Sequence, residues 1–127
     1  MIEIVNSGSI AMIPNAPFSQ SVAAGDFVFL SGQVGSDPAT GKIVEGGVQA
    51  QAEQAIKNLG AVLEANGLSY ASAVKATCFL SDIKNFGAFN EVYSRYFTGK
   101  PARSCFAVKD LPMGADVEIE LIAYRGK

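Results

Sequence analysis

Arg103 is the side chain in this sequence best suited to bind a small anion. It follows Pro101 by two residues at the start of a predicted strand, where the proline restricts the backbone. Its planar guanidinium group can bind a carboxylate through two parallel hydrogen bonds. Cys105 lies two residues further along, and therefore on the same face of the strand. A surface arginine beside a core cysteine has the same spacing, and the two residues alone favour that interpretation.

Glu118 and Glu120 form a second arrangement that could carry chemistry. One residue separates them in the last predicted strand, so both side chains point to the same face. Paired carboxylates of this kind can act as the acid and the base of an active site. Charged residues on a solvated sheet face alternate in the same way, and the pair alone favours the solvated face.

The composition excludes several kinds of catalytic site. The sequence contains no histidine, which rules out a Ser-His-Asp or Cys-His relay and a histidine-bound metal. The two cysteines, Cys78 and Cys105, are too few for a zinc site of their own or for a disulfide framework. Ten basic and twelve acidic residues give a net charge of −2 and tryptophan is absent, so nucleic-acid binding is not indicated.

The length and hydrophobicity of the chain predict one domain that associates with a partner subunit. We expect a single domain over residues 1–127, because this length suffices for one core. Hydrophobic residues make up 49% and charged residues 17%, an apolar surplus that a partner would cover. We find neither a secretory signal nor an apolar run long enough for a membrane span, and we expect a cytoplasmic protein.

Hydrophobic periodicity predicts eight elements in the order β-β-β-α-β-α-β-β. The strands are rich in apolar and β-branched residues, and the helices repeat apolar residues every three or four positions. The predicted strands are Glu3 to Val5, Ser19 to Ala23, Phe27 to Gln33, Val74 to Leu80, Arg103 to Val108 and Val117 to Tyr124, and the predicted helices are Val48 to Asn66 and Phe86 to Phe97. We therefore expect an α+β fold with both helices on one face of a mixed six-stranded sheet.

Some residues are expected to terminate or orient these elements. A hairpin loop is predicted at Ala24-Gly25-Asp26, and Gly67 should end the first helix in a left-handed conformation. The second helix should be capped by Asn85 and ended by Pro101.

Three sets of residues should each lie on one face of their element: Val74, Ala76, Cys78 and Leu80; the polar Gln51, Glu53, Lys57 and Glu64; and the mainly aromatic Phe86, Phe89, Val92, Tyr93, Tyr96 and Phe97. Ile122 and Tyr124 predict that the uncovered sheet face is partly apolar.

The segment PARSCF, followed after a loop by VEIELIAY, closely resembles the C-terminal signature of the RidA family of YjgF-like imine deaminases. The resemblance extends over almost the whole chain, through APFSQSV, FVFLSGQVGSDPATGKIV, QAEQAIKNLGAVLEANG and VKATCFLSDIKNFGAFNEVYSRYF. It implies a chorismate-mutase-like α+β subunit. It also implies a homotrimer with three ligand sites in the clefts between subunits.

The resemblance implies a role for each of six residues. Arg103 matches the family arginine that binds the substrate carboxylate, and Glu118 matches the glutamate that holds or polarises the water. Cys105 lines the same pocket, Gly32 falls where backbone groups approach the ligand, and Asn90 matches a polar residue near the cleft. Phe18 departs from the family pattern, because many members have a tyrosine there; the ring is kept and the hydroxyl is lost.

The activity implied by the resemblance is hydrolysis of short 2-imino acids, 2-iminopropanoate and 2-iminobutanoate, to 2-keto acids and ammonia. A protonated imine is already electrophilic, so orientation and one activated water suffice, and no cofactor or metal is expected. Two alternatives stay open. One is a non-catalytic, trimeric binding or regulatory protein for small carboxylates with the same fold, and the other is RNA cleavage or inhibition of translation, against which the net charge and the missing histidine count.

Overall fold

Alternating apolar residues build one mixed sheet, and two longer amphipathic segments fold as helices over it. The computed structural model describes residues 2–10 and 13–126. Its strands are β1 (Ile2–Val5), β2 (Ser21–Ala24), β3 (Phe27–Val34), β4 (Ala73–Leu80), β5 (Ala102–Ala107) and β6 (Val117–Tyr124), and its helices are α1 (Gly47–Ala65) and α2 (Phe86–Tyr96). The α+β class and the order of elements predicted from the sequence are confirmed.

The six strands lie in the order β1-β2-β3-β6-β4-β5. Every neighbouring pair is antiparallel except β4 and β5, which are parallel and are connected by α2. The β2–β3 hairpin turns at Gly25, whose φ of 61° falls in the left-handed region that glycine adopts without strain. Ser19 and Gln20, predicted to begin β2, precede the strand instead, and the buried Gln20 side chain accepts a hydrogen bond from the backbone of Ser7.

Helix α1 crosses the middle of the sheet and supplies much of the core. Its inward side chains include Ala52, Ile56, Leu59 and Leu63, all with no exposed surface. Gly67 has a φ of 73° just beyond the helix, as its predicted role requires. Gln51 was wrongly predicted on the polar face: it is buried, and its amide exchanges two hydrogen bonds with Asp116 at the start of β6. The hydrogen bonds with Asp116 thus allow the polar Gln51 side chain to be buried on the core side of the helix.

The prediction that Val74 faces the core with Ala76, Cys78 and Leu80 is wrong. The pairing of β4 with β6 shifts register between Ala73 and Lys75, which is a β-bulge. The extra residue turns Val74 outward, where 42% of its surface is exposed, and Ala73 is buried in its place. Side chains alternate between the two faces of a strand only where its pairing with the neighbouring strand is regular.

Helix α2 begins at Phe86 as predicted and ends one residue before the predicted Phe97, but the residues expected to terminate it act differently. Asn85 occupies the cap position but its side chain makes no capping hydrogen bond; Asp82 instead accepts one from the backbone of Lys84 in the short turn before the helix. The helix ends at Tyr96, well before Pro101. Phe89, Val92, Tyr93 and Phe97 are buried as predicted, whereas Phe86 is 38% exposed.

The sheet face opposite the helices is partly apolar and is not covered by the residues that the structure describes. Side chains from β3, β5 and β6 share it, and those that remain substantially exposed are Phe27, Phe29, Phe106 and Tyr124. The partly apolar character predicted from Ile122 and Tyr124 is confirmed. Within residues 2–10 and 13–126, neither helix is long and apolar enough to cross a membrane.

We expect Asn58→Ala to lower the free energy of unfolding by about 2 kcal/mol. The buried Asn58 amide donates to the carbonyl oxygens of Val34 and Ser36 at 3.1 and 2.9 Å, so truncation removes both hydrogen bonds and leaves the Ser36 carbonyl without this donor. Urea unfolding measures the change. The adjacent, exposed Lys57→Ala is the control and should stay within about 0.5 kcal/mol of wild type; equal values for the two variants would contradict the assignment.

Candidate functional site

Arg103 lies on the helix side of β5, beneath α2. Its Nη1 donates a hydrogen bond to Asn90 Oδ1 at 2.8 Å. Its guanidinium carbon lies 4.7, 5.5 and 5.8 Å from the ring centroids of Tyr93, Phe86 and Phe89. The positive group therefore rests on aromatic faces and on one amide oxygen, all supplied by a single helix.

The charge of Arg103 has no acidic partner among the described residues. Within them, the ion pairs join Lys57 to Glu53 and Arg125 to Glu3, and no carboxylate comes within 4.0 Å of Arg103. A guanidinium group carries five N–H donors, and Asn90 accepts from one of its nitrogens. The group is half-buried, so its remaining donors can bind an incoming carboxylate with both charge and geometry.

Cys105 lies on the same face as Arg103, directly opposite Cys78 of β4. Burial raises the pKa of Cys78 to about 12. Burial also raises the pKa of Cys105 above its ordinary value, although the charge of Arg103 opposes this shift. Both thiols are therefore protonated at neutral pH, and Cys105 contributes a neutral wall rather than a thiolate nucleophile.

A second group of predicted site residues lines a groove of about 490 Å³. Phe18, Gly32 and Glu118 all border it, and Phe18 is 52% exposed at its rim. Ile10, Ile13, Val34 and Met113 add apolar walls. These four could not be identified from the sequence, because Ile10, Ile13 and Met113 lie outside the long helices and strands and Val34 ends a strand, so no periodicity marks them as a group.

Gly32 lies in a β-bulge that brings the backbone against Glu118. The pairing of β3 with β6 shifts register between Leu30 and Gln33, so the residues between them leave the regular ladder. A Cβ atom at position 32 would overlap the Glu118 carboxylate. Only glycine lets that carboxylate lie flat against the strand.

Glu118 is the titratable group of this groove. Its pKa is raised above the ordinary value of 4.5 by burial and, secondarily, by the charge of Glu120 on the same face of β6. The shared face predicted for the two glutamates is confirmed by their register against β4. A carboxylate that holds its proton more tightly is better suited to exchange one with a bound water.

The sheet separates the two groups within one chain. Arg103 stands opposite Ala76, which in turn stands opposite Leu121, and both of these are buried under the helices. Glu118 stands opposite Phe79 on the other face. The chain therefore brings Arg103, Asn90 and Cys105 together on one side and Phe18, Gly32 and Glu118 together on the other, without joining the two sets.

Three aromatic residues at the Arg103 cluster were predicted only as parts of a buried helix face. Phe86, Phe89 and Tyr93 are spaced, with Asn90, at positions i, i+3, i+4 and i+7, which places them on one side of α2. The polar Asn90 in the middle of this apolar stripe was the available signal. Among the described residues, no cluster of three or more His, Cys, Asp or Glu side chains could hold a metal ion.

Comparisons with known proteins give a consistent result. A family model described as endoribonuclease L-PSP matches residues 9–125. A mouse protein named 2-iminobutanoate/2-iminopropanoate deaminase is 48% identical over 111 residues, which are 87% of this chain and 82% of the mouse protein. The crystal structure of YEO7 from yeast has a TM-score of 0.93 at 42% identity and covers 99% of this chain and 100% of that one. The structure of TdcF from E. coli with bound serine has a TM-score of 0.90 at 37% identity, with 98% and 99% coverage.

We expect Glu118→Gln to raise the melting temperature at neutral pH. Because the folded state raises the pKa of Glu118, the folded chain binds this proton more tightly than the unfolded chain does. The charged carboxylate thus destabilises the fold above the raised pKa, and that cost disappears as the pH falls toward the ordinary value of 4.5. Thermal melts at several pH values should show a gain that shrinks on acidification. Glu45→Gln, at an exposed carboxylate, is the control; a gain independent of pH would contradict the shift.

Proposed function

The chain belongs to the endoribonuclease L-PSP family, and on that premise we propose that it hydrolyses short 2-imino acids to 2-keto acids and ammonia. Relatives at 43 to 48% identity over most of the chain carry the name 2-iminobutanoate/2-iminopropanoate deaminase. The observation in the structure that supports the proposal most is the Arg103 guanidinium, held on aromatic faces with no acidic partner among the described residues. It offers a carboxylate clamp of the size that these substrates need.

The reaction adds one water and releases one ammonia. A water oxygen bonds to the electrophilic imine carbon, and the C=N double bond becomes a single bond as its electron pair moves to nitrogen. The water gives one of its protons to this nitrogen, which leaves a hydroxyl on carbon. A second proton passes from that hydroxyl to nitrogen, the C–N bond breaks, and the 2-keto acid forms as ammonia departs. Neither an oxidant nor a cofactor is needed to balance these steps.

We assign carboxylate binding to the group on the helix side of the sheet. Arg103 binds the substrate carboxylate with its free N–H donors, and Asn90 fixes the guanidinium through the 2.8 Å hydrogen bond. Cys105 lines the pocket as a neutral thiol. Anchoring the carboxylate fixes the position of the adjacent imine carbon, and much of the acceleration comes from this alignment.

We assign proton transfer to the group on the open side. Glu118 orients the attacking water and moves its proton to the departing nitrogen, and its raised pKa suits both steps. The bulge at Gly32 exposes backbone groups beside the ligand. The ring of Phe18, at the rim of the groove, closes the pocket against bulk water.

A complete site then requires two chains, and we propose a homotrimer with sites between subunits. Arg103 and Glu118 lie on opposite faces of the same sheet, so the Arg103 group of one subunit must meet the Glu118 groove of the next. The exposed apolar face, including Phe29 and Phe106, would be buried by this association. A ring of identical contacts leaves no free interface, and the number three follows from the family resemblance. We place the assembly in the cytoplasm, where the free thiols of Cys78 and Cys105 stay reduced.

The family description also raises RNA cleavage as a candidate. The sequence has no histidine to act as acid and base at neutral pH, and its net charge of −2 does not attract a polyanion. A non-catalytic binding protein is the closer alternative, because TdcF of E. coli is known with bound serine, a small amino acid. The two small-acid functions differ only in whether the bound imine is hydrolysed.

The deciding experiment generates 2-iminopropanoate and 2-iminobutanoate in situ and follows keto-acid release with and without the protein. Faster release that scales with protein concentration supports the deaminase. Binding of 2-oxobutanoate without faster release would instead indicate the non-catalytic protein. Cleavage of a labelled RNA under the same conditions would favour the nuclease.

We expect Arg103→Ala to abolish imine hydrolysis while leaving folding and assembly nearly unchanged. Each charged hydrogen bond to the carboxylate contributes about 1.5 to 3 kcal/mol, and their loss also removes alignment. Arg103→Lys restores the charge but not the fork of donors, and it should remain inactive. Steady-state rates test this, with light scattering to confirm assembly. A fully active alanine variant would place the anion site elsewhere.

We expect co-expressed Arg103→Ala and Glu118→Ala chains to recover activity that neither has alone. In a closed ring, every mixed trimer contains one cleft that pairs an intact Arg103 with an intact Glu118. Isolated mixed trimers should therefore show about a third of the wild-type activity. Mixed trimers are isolated through two different affinity tags before assay. Inactive mixed trimers would contradict a site shared between subunits.

We expect Phe18→Tyr to change the rate on 2-iminobutanoate by less than about tenfold, equal to about 1.4 kcal/mol. The ring closes the apolar wall without its hydroxyl, so the added oxygen has little to supply. Phe18→Ala should reduce the rate more, because it opens the wall to water. A gain of ~10² or more for the tyrosine variant would show that a positioned phenol is the missing acid or base.

A further inference from the structure

One face of α2 contacts the Arg103 guanidinium. Phe86, Phe89, Asn90 and Tyr93 follow the i, i+3, i+4, i+7 spacing and so form one continuous stripe. Each of the four contacts the guanidinium, three through a ring face and Asn90 through its amide oxygen. A helix that only packed against the sheet would not need to gather all four around one cation.

The chemistry of this stripe preserves the ability of Arg103 to bind an anion. A glutamate or aspartate in the stripe would hold the arginine more firmly, but it would also occupy the donors that a substrate carboxylate needs. A ring attracts the cation through its face and accepts no N–H hydrogen bond in the plane of the fork. Aromatic rings therefore hold the arginine and leave its N–H donors available to bind a carboxylate.

Tyr93 is the ring best placed to set the orientation of the guanidinium. Its centroid lies closest, at 4.7 Å from the guanidinium carbon. It is 8% exposed, so the attraction acts with little screening by water. Phe97 stacks against it at 4.6 Å and 24°, and Phe89 packs beside it at 5.6 Å, which fixes the plane of the ring. Phe86 is far more exposed and lacks such support.

The hydroxyl of Tyr93 does not explain the placement of this residue. It is buried and has no hydrogen-bond partner within residues 2–10 and 13–126. A buried hydroxyl without a partner lowers stability. The contribution of Tyr93 to the site must therefore come from its ring.

We propose that Tyr93 is a positioning residue, whose ring face holds the Arg103 guanidinium in the orientation that binds the substrate carboxylate. The proposal rests on the deaminase function and deepens it. The proposal assigns Tyr93 no contact with the substrate or the water. Its effect reaches the substrate only through the arginine, whose donors all remain, so we expect its loss to weaken carboxylate binding more than it slows the chemical step.

The test compares Tyr93→Leu with Tyr93→Phe, using Tyr96→Leu as the matched control. Tyr96 lies on the same helix but packs against Tyr70 and bonds Glu53, away from Arg103. Tyr93→Leu should raise KM for 2-iminobutanoate about tenfold, equal to about 1.4 kcal/mol, with kcat within about threefold. Tyr93→Phe restores the ring and should return KM to within about twofold of wild type. Tyr96→Leu should leave KM unchanged.

A second readout does not depend on catalysis. The chain has three arginines, Arg95, Arg103 and Arg125, so the arginine Nε–H signals in a ¹H–¹⁵N spectrum are easily assigned by single substitutions. The aromatic faces should shift the Arg103 signal away from the other two in wild type and in Tyr93→Phe, and Tyr93→Leu should reduce that shift. Tyr93→Met, which fills the space without a ring, replaces the leucine variant if that chain fails to fold.

The outcomes separate the two proposals. If wild type does not hydrolyse imines but the Arg103 signal responds as described, the deaminase proposal fails and the positioning role stands. If Tyr93→Leu or Tyr93→Met keeps both the wild-type KM and the wild-type Arg103 signal, the positioning role is overturned. An equal loss in Tyr93→Phe and Tyr93→Leu would also overturn it, because the hydroxyl would then be the active part.

Discussion

The parallel pairing of β4 with β5 is the constraint on which the candidate site depends. Parallel neighbours need a crossover connection, and in this chain α2 provides it. Because the crossover must return over one face of the sheet, α2 lies above the strand that it leads into. Arg103, near the start of β5, therefore meets side chains of α2 rather than bulk water. An antiparallel β5 joined by a tight turn would have left the arginine without this surrounding surface.

Partly buried polar contacts hold the strand that carries Glu118 in register. Asp116, one residue before β6, accepts hydrogen bonds from Gln51 of α1 and from Ser81 at the end of β4. Its own backbone N–H donates to Gln51 at 2.8 Å. These contacts fix where β6 begins, and Glu118 is its second residue. The position of the Glu118 carboxylate thus depends on an amide in a helix far away in the sequence, through hydrogen bonds that are partly buried.

The sequence predicted the elements well where periodicity dominates and failed where tertiary contacts override it. Helix α1 and strand β6 have long, regular patterns, and their predicted bounds are close to those observed. Val74 and Gln51 were assigned to the wrong sides, because a bulge and a buried hydrogen-bond partner cannot be read from local spacing. At the site, the residues alone did not separate Arg103 from an ordinary surface arginine. Its distinguishing feature is the absence of a nearby acid among the described residues, which depends on residues distant in sequence.

The contact between Gly32 and Glu118 also limits how this protein can change over evolutionary time. Any side chain at position 32 would force the Glu118 side chain to turn away from the strand, so a change at one position alters the other. Alanine at position 32 can arise without a change at position 118, but it moves the carboxylate. Selection that keeps the carboxylate where it lies therefore also keeps the glycine.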